Sequence, residues 1–266
     1  MKKQIGSAAI IAAVVVLCPG PVLPETESID AKEILERTAD REFQDMELSI
    51  HMVRVNKKGR ERPMDLVVKS RKTVEVTKAY AEFTAPIEVE GMKSLTWDYT
   101  DPEKPTDQWF MLSGMDYMKC RGKACQNMEE RFGFSSQSFA FDVEDAEHEL
   151  VGTENIDGAP CYKIESRAKD QDKYETARVT VWVDKEKFVL RKIEAFDKND
   201  KPMHTSTFTE FKELGDHWWE TKGEMTSHQS GKKMRFEIKE AKIDSGIPDQ
   251  VFAKPKKFKI KEDDSP

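Results

Sequence analysis

The stretch from Ala177 to Ile243, ARVTVWVDKEKFVLRKIEAFDKNDKPMHTSTFTEFKELGDHWWETKGEMTSHQSGKKMRFEIKEAKI, is cut by turn signals into runs of strand length rich in β-branched and aromatic residues. It predicts a five-strand antiparallel meander. The breaks fall at Asp184-Lys185-Glu186-Lys187, Asp197-Lys198-Asn199-Asp200-Lys201-Pro202, Leu214-Gly215-Asp216 and Ser230-Gly231-Lys232, polar clusters that offer no apolar face to bury. Connections this short permit hairpins and exclude crossover helices. In the last run Met234, Phe236 and Ile238 alternate with Lys233, Arg235, Glu237 and Lys239, the pattern of a half-buried strand. Lys239-Glu240 breaks the alternation and leaves Ala241 and Ile243 in the opposite phase, as a bulge would. From Phe188 to Phe196 apolar residues occupy both phases, which predicts a strand covered on both faces.

Upstream, Asp30-Ala31-Lys32-Glu33 has the spacing of a capping box. Ala31, Ile34, Leu35 and Ala39 then recur at helical spacing, so one amphipathic helix should run to about Asp40. Leu48, Ile50 and Met52 alternate, shift phase at Val53 and Val55, and stop at Lys57-Lys58-Gly59, a first strand and turn. Met64 to Tyr80 carries a second strand and room for a third; Gly91 to Tyr99 and Gln108 to Met118 supply two more, on either side of Asp101-Pro102-Glu103-Lys104-Pro105. Between Gln126 and Leu150 the strand pattern lapses into mixed loop and helix, with Phe132, Phe134, Phe139 and Phe141 among polar residues. Strands resume around Asp157-Gly158, and the Lys-rich, then acidic tail from Lys254 to Pro266 should fray. Helix, strands, helical interruption, strands describes an α+β fold with one long, curled antiparallel sheet and helical pieces on one face.

With 266 residues, 35% of them charged, and a mean hydropathy of −0.70, the chain can bury one sizeable core or two small ones and is too polar for a polytopic membrane protein. Lys2 and Lys3 precede the apolar run Ala8 to Leu17, and Pro19, Gly20, Pro21 and Pro24 stop any helix there, the pattern of an export signal. Ten apolar residues are too few to span roughly 30 Å of hydrocarbon, which favours removal over anchoring. Lipidation at Cys18 would place Leu17 where lipoprotein signals want a small residue. The expected organisation is a signal peptide over 1–24, one domain over 25–254 and a charged tail over 255–266. Losing Lys2 and Lys3 takes the net charge from −7 to about −9, so charge alone would draw the chain to neither nucleic acid nor an anionic membrane.

CRGKAC sets Cys120 and Cys125 around a turn-sized loop, and in an oxidising compartment a disulfide is the first reading. Free thiols and a zinc site are the competing ones, although a single C-x4-C without a second ligand pair is a weak zinc signal. Cys161 suits a buried small hydrophobe. The chain contains no G-x-S-x-G, HExxH, Walker loop or dinucleotide fingerprint. No two of His51, His148, His204, His217 and His228 are spaced as helix neighbours; pairing across Leu214-Gly215-Asp216 would set His204 near Glu224 and His217 near Phe211. Asp142, Glu144, Asp145 and Glu147 lack the pattern of a calcium loop and read as a solvated helix start. Met111, Met115, Met118 and Met128 fit an adaptable core or a lipid contact better than a copper site. No metal or cofactor is expected.

Order and spacing, more than any one motif, carry a resemblance over nearly the whole mature chain. A signal peptide, a short helix and a strand ending in Asp65-Leu66-Val67-Val68-Lys69 come first. The break at Phe83-Thr84-Ala85-Pro86 before Gly91, the Trp109 strand, FAFDVEDAE, NIDGAPCYKIE and TVWVDKEKFVLRKIEAFD follow. Together they resemble the outer-membrane lipoprotein-sorting, or LolA-like, proteins. The resemblance implies an incomplete antiparallel β-barrel, a curled single sheet with helices covering its open, concave side around an apolar cavity for acyl chains. It further implies a monomeric periplasmic carrier, or sensor, of lipids or lipoproteins. An inner-membrane transporter would be its donor and an outer-membrane protein its acceptor, and no enzyme activity is implied. Cavity or lid candidates are Trp97, Trp109, Met111, Phe139, Phe141, Trp182 and Phe236, with the segment from Phe132 to Glu147 as a movable cover. In the sorting carrier the stretch matching Asp65 to Arg71 holds a lid-closing Arg; the basic residues here are Lys69 and Arg71. CRGKAC and the added tail depart from the carrier and suggest a divergent branch with its own cargo. The alternative from another class is an exported hydrolase with an active site assembled from scattered residues.

Overall fold

The computed structural model describes residues 29–101, 103–120, 145–171 and 174–261. The expected export signal, Cys18, Cys125, Phe139, Phe141 and nearly all of the expected cover lie outside them. A single α-helix, α1 (Ala31–Ala39), opens the described chain. The side chain of Asp30 caps it by accepting from the Glu33 N–H at 2.8 Å, and Ile34 on its inner side is fully buried.

Two meanders follow. The first comprises β1 (Asp45–Val55), β2 (Glu61–Lys72), β3 (Val76–Ala85), β4 (Lys93–Tyr99), β5 (Asp107–Met111) and β6 (Tyr117–Cys120). The second comprises β7 (Ala146–Ile156), β8 (Ala159–Ala168), β9 (Arg178–Asp184), β10 (Leu190–Phe196), β11 (Pro202–Leu214), β12 (His217–Ser227) and β13 (Lys233–Ile243). Pairing of β1 with β13 joins them, and with β14 (Phe258–Lys261) they make one sheet of 14 strands, ordered β14-β6-β5-β4-β3-β2-β1-β13-β12-β11-β10-β9-β8-β7. A short 3-10 helix (Asp249–Phe252) precedes β14 (Phe258–Lys261), whose pairing with β6 is parallel; every other pair is antiparallel. The two end strands do not pair with each other, so the sheet curls without closing.

The five strands expected between Ala177 and Ile243 form with the expected breaks. The bulge forms too: Ser49 faces Glu240 while the next pair is Ile50 with Ile238, leaving Lys239 extra. Several expectations fail. Gln108 to Met118 is not one strand, because a turn with Gly114 at φ +71° splits it into β5 and β6. Ala146 to Leu150 is already β7, its charged residues facing outward from an edge strand. The start of the tail docks as β14. The β11–β12 turn has only two residues, Gly215 and Asp216, with Gly215 at φ +63°, so His204 faces Ser227 and His217 faces Leu214. Among the described residues, helix is limited to α1 and one 3-10 turn; most of the segment expected to supply further helix lies outside them.

Two apolar clusters share the concave face. In one, Ala31 and Ile34 of α1 pack on Ile164, Val179, Val181, Val183, Leu190 and Ile193. In the other, Met52, Met64, Leu66, Phe83 and Met92 meet Val89, Leu112, Met234 and Phe236. Phe208, packed on the first, touches Phe236, packed on the second, with ring centroids 6.2 Å apart. Gly223 lies beneath that contact: a Cβ there would stand 2.9 Å from the Phe236 ring, 3.1 Å from the Phe208 ring and 2.6 Å from the Thr207 carbonyl oxygen. The glycine in mid-strand lets the two rings meet over the sheet.

Candidate functional site

Beyond the Met52–Phe83 cluster the concave face opens into a cavity of about 1040 Å³. That is the upper end of the size range of ligand pockets, roughly 300–1,000 Å³. Met64, Phe83, Pro86 and Val89 supply apolar walls; Arg54, Arg60, Arg62, Lys232 and Lys233 stand around it with Glu61 and Glu88. Three turns build the mouth. In the β1–β2 turn the Asn56 side-chain oxygen accepts from the N–H groups of Lys58 and Arg60 at 2.9 and 3.0 Å, with Gly59 at φ +78°. In the turn after β3, Phe83 N–H donates to the Met92 carbonyl and Gly91 N–H to the Phe83 carbonyl, which folds Val89 over the floor. Between β12 and β13, Gly231 N–H donates to the Ser227 carbonyl at 2.9 Å.

The structure divides the residues singled out in the sequence. Phe236 belongs to the concave face. Trp97, Trp109 and Met111 alternate with Phe110 and face the other way, since Trp109 pairs with Leu95 while Phe110 pairs with Ser94 beyond Ala81 and Val68. The indole N–H of Trp97 donates to the Phe252 carbonyl at 2.9 Å, and the Lys254 ammonium lies 4.6, 5.6 and 5.5 Å from the rings of Trp97, Tyr99 and Trp109. Lys254 also donates to Asp107 at 2.7 Å, as does the Tyr99 hydroxyl at 3.0 Å. Burial opposes the charge of Asp107, yet hydrogen bonds from Lys119, Lys254 and Tyr99 hold its pKa down at about 2. Trp182 likewise opposes Val181 and Val183; its N–H donates to Glu154 at 2.9 Å under the ammonium groups of Lys163 and Lys192.

Neither basic candidate reaches the cavity. Lys69 pairs with Glu47 across β1–β2 at 2.9 Å. Arg71 donates to Asp249, to the Ile247 carbonyl and to Asp45, and its guanidinium lies 5.3 Å from the Phe252 ring. It fastens the segment after β13 against the sheet. Asp45, buried itself, also accepts from the N–H groups of Ser245 and Ile247 at 3.0 and 3.1 Å, and these bonds keep it ionised against the cost of burial.

A family model described as "Uncharacterized protein" matches residues 75–256. The chain belongs to that family. No curated protein matches it. Among solved structures, a DUF1329 family protein from Desulfovibrio piger superposes with a TM-score of 0.72 at 20% identity, over 84% of this chain and 95% of that one. A putative outer membrane lipoprotein-sorting protein domain from Vibrio parahaemolyticus gives 0.71 at 21% identity, over 84% and 95%. A LolA superfamily protein from Nitrosomonas europaea gives 0.60 at 19% identity, over 85% and 99%. The fold is therefore LolA-like.

Within this fold the sequence reading missed Met64, Phe83 and Val89, the floor, and Arg54 and Arg62, the rim. A signal existed for the arginines: they occupy the phase of Met52 and Met64, where a half-buried strand should be apolar. Cys161 is a free, fully buried thiol whose pKa is pushed up by burial and then by Asp184. Cys120 ends β6, and its bonding partner lies outside the described residues.

Proposed function

We propose that the protein is a periplasmic carrier, or sensor, that holds acyl chains of lipids or lipoproteins in the concave-face cavity and passes them toward the outer membrane. One observation carries the reading: a cavity of about 1040 Å³ floored by Met64, Phe83 and Val89 on the open side of an unclosed sheet. Each buried CH₂ contributes about 0.8 kcal/mol without directional bonds, so a chain can be gripped and still released. The protein carries no enzymatic step in this scheme, and its donor and acceptor are membrane-bound transfer partners. Lipid extraction of protein purified from an oxidising compartment should yield acyl species in about stoichiometric amount; extracts free of lipid, together with no binding of an acyl probe, would refute the carrier.

Export with removal of residues 1–24 belongs to the same proposal, as does a Cys120–Cys125 disulfide closing a short loop worth about 2 kcal/mol. Intact-mass analysis of the exported protein checks both: two unmodified thiols at these positions would remove the second. The segment from Phe132 to Glu147 is proposed as the cover, with Phe139 and Phe141 toward the chain. Its amide exchange should slow on lipid binding.

A further inference from the structure

One row of direct strand partners crosses the concave face from the cavity to the cluster beneath α1. Met64 of β2 faces Met52 of β1, Met52 faces Phe236 of β13, Phe236 faces Gly223 of β12, and Gly223 faces Phe208 of β11. Opposed partners share a face, so the row is continuous. Met64 lies on the cavity floor, and Phe208 packs on the cluster into which α1 inserts Ile34. The two apolar clusters are therefore the ends of one trough, and α1 fills the far end with protein. Between those ends the row is uneven: two thioethers, a ring, a residue without a side chain, a second ring. Phe236 and Phe208 reach over Gly223 from the strands on either side and meet edge to face, with an interplanar angle of 65°. Both rings sit within 3.1 Å of the place a Gly223 Cβ would take, so the pair rests on bare backbone. Each ring is half-buried, unlike Phe83, and keeps surface for a guest to touch.

We infer that the Phe208–Phe236 pair is a stop that limits the length of acyl chain the protein accepts, an inference that rests on the carrier reading above. A chain entering at Phe83 and Val89 and following Met64 and Met52 meets the two rings across its path before it reaches α1. A methionine side chain has three rotatable bonds and can rearrange around a guest. The rings are stiffer, and displacing either one breaks its contact with the other and uncovers the Gly223 backbone. A methylene beyond the pair therefore brings less net burial than one before it. The ligand class is an aliphatic chain of bounded length, and the side chain at position 208 sets the bound.

Calorimetric titration of the full chain with monoacylglycerols of increasing length, each below its aggregation concentration, tests the stop. Parent affinity should rise about fourfold with each methylene and then level off at a definite length. Phe208→Ala removes one ring and leaves Gly223 and Phe236 in place, so the levelling-off point should move to longer chains. The first chains beyond the parent's limit should bind this variant about tenfold tighter than they bind the parent, the worth of roughly two further methylenes. Shorter chains should bind both proteins alike. Phe208→Leu keeps an apolar contact with the α1 cluster and should shift the limit in the same direction by less; a Tm close to the parent's guards against a loosened fold as the cause. A uniform loss of affinity at every length, with the limit in its parental place, would make the pair a packing contact and overturn the stop. Parent affinity that climbs through the whole series without levelling would overturn it too, and in both cases the carrier stands. A parent that binds no member of the series would sink the carrier reading and the stop with it.

Discussion

The two faces of the sheet use their large side chains in opposite ways. On the concave face Met52, Met64, Phe83, Met92, Met234 and Phe236 meet one another through apolar contact alone. On the other face Trp97 and Trp182 are each fixed by an indole hydrogen bond and overlaid by ammonium groups, and Trp109 lies under Lys119 and Lys254. A surface of thioethers and phenyl rings can repack around a guest. Indoles held by directional bonds cannot move without breaking them. The contrast teaches that aromatic content alone does not locate a ligand: the largest side chains here hold the scaffold, and smaller flexible ones face the cavity.

The largest expected effect tests that division directly. Phe83→Ala empties a site where Phe83 is only 1% exposed and should cost about 3–5 kcal/mol in denaturant unfolding while abolishing acyl-probe binding. Trp97→Ala should also destabilise, through its lost bond to Phe252 and lost packing, yet leave probe affinity unchanged in the folded protein. Loss of binding in Trp97→Ala at full folding would erase the distinction between the faces.

Acid should act on one face first. The pKa of Asp107 is about 2 in the folded protein against an ordinary 3.8, so its ionised form is favoured by folding. A depressed carboxyl adds stability that is complete above its unfolded pKa and is lost as pH falls through the folded value, here between about 4 and 2. The contribution is about 2 kcal/mol. Asp107→Asn should flatten the stability profile in that window and, near neutral pH, loosen Lys254 and the Trp97–Trp109 surface, read as a change in tryptophan fluorescence. An unchanged profile would mean that the Lys119–Asp107–Lys254 arrangement does not hold the tail.

These two faces were unequally legible in the sequence. Strand existence and order were plain from Ala177 to Ile243 because turns there are short and polar and alternation is strong; even the extra residue at Lys239 announced itself as a change of phase. Which face a strand turns inward is a relation among neighbours. Trp109 and Phe110 are adjacent, both buried, and point opposite ways, so hydrophobicity alone cannot tell the scaffold residue from the one on the cavity side. Arg71 likewise looked available as a lid residue because Asp249 and Ile247, which engage it, come some 176–178 positions later in the chain. The β11–β12 register depended on whether the Gly215-Asp216 turn took two residues or more, a choice that shifts every partner on the strand.

The smallest expected effect bears on whether either face does chemistry. His51 bonds Asp65 at 2.6 Å, His148 bonds the Ser166 hydroxyl at 2.7 Å, and His228 bonds Thr205 at 2.8 Å. The second and third have the hydroxyl–imidazole form of an activated nucleophile, but Ser166 is buried in mid-strand, on the side of β8 that carries Ile164, and the Thr205–His228 pair is exposed. If affinity comes from apolar volume, His148→Gln, which keeps a hydrogen-bonding side chain beside Ser166, should change acyl-probe binding by less than about 0.5 kcal/mol, as should His51→Gln and His228→Gln. Ester turnover by the purified protein that disappears in His148→Gln would convert the carrier into a hydrolase and place its chemistry under α1 rather than at the cavity. Turnover absent in the parent, with affinity unmoved in all three variants, leaves the flexible apolar face as the source of binding.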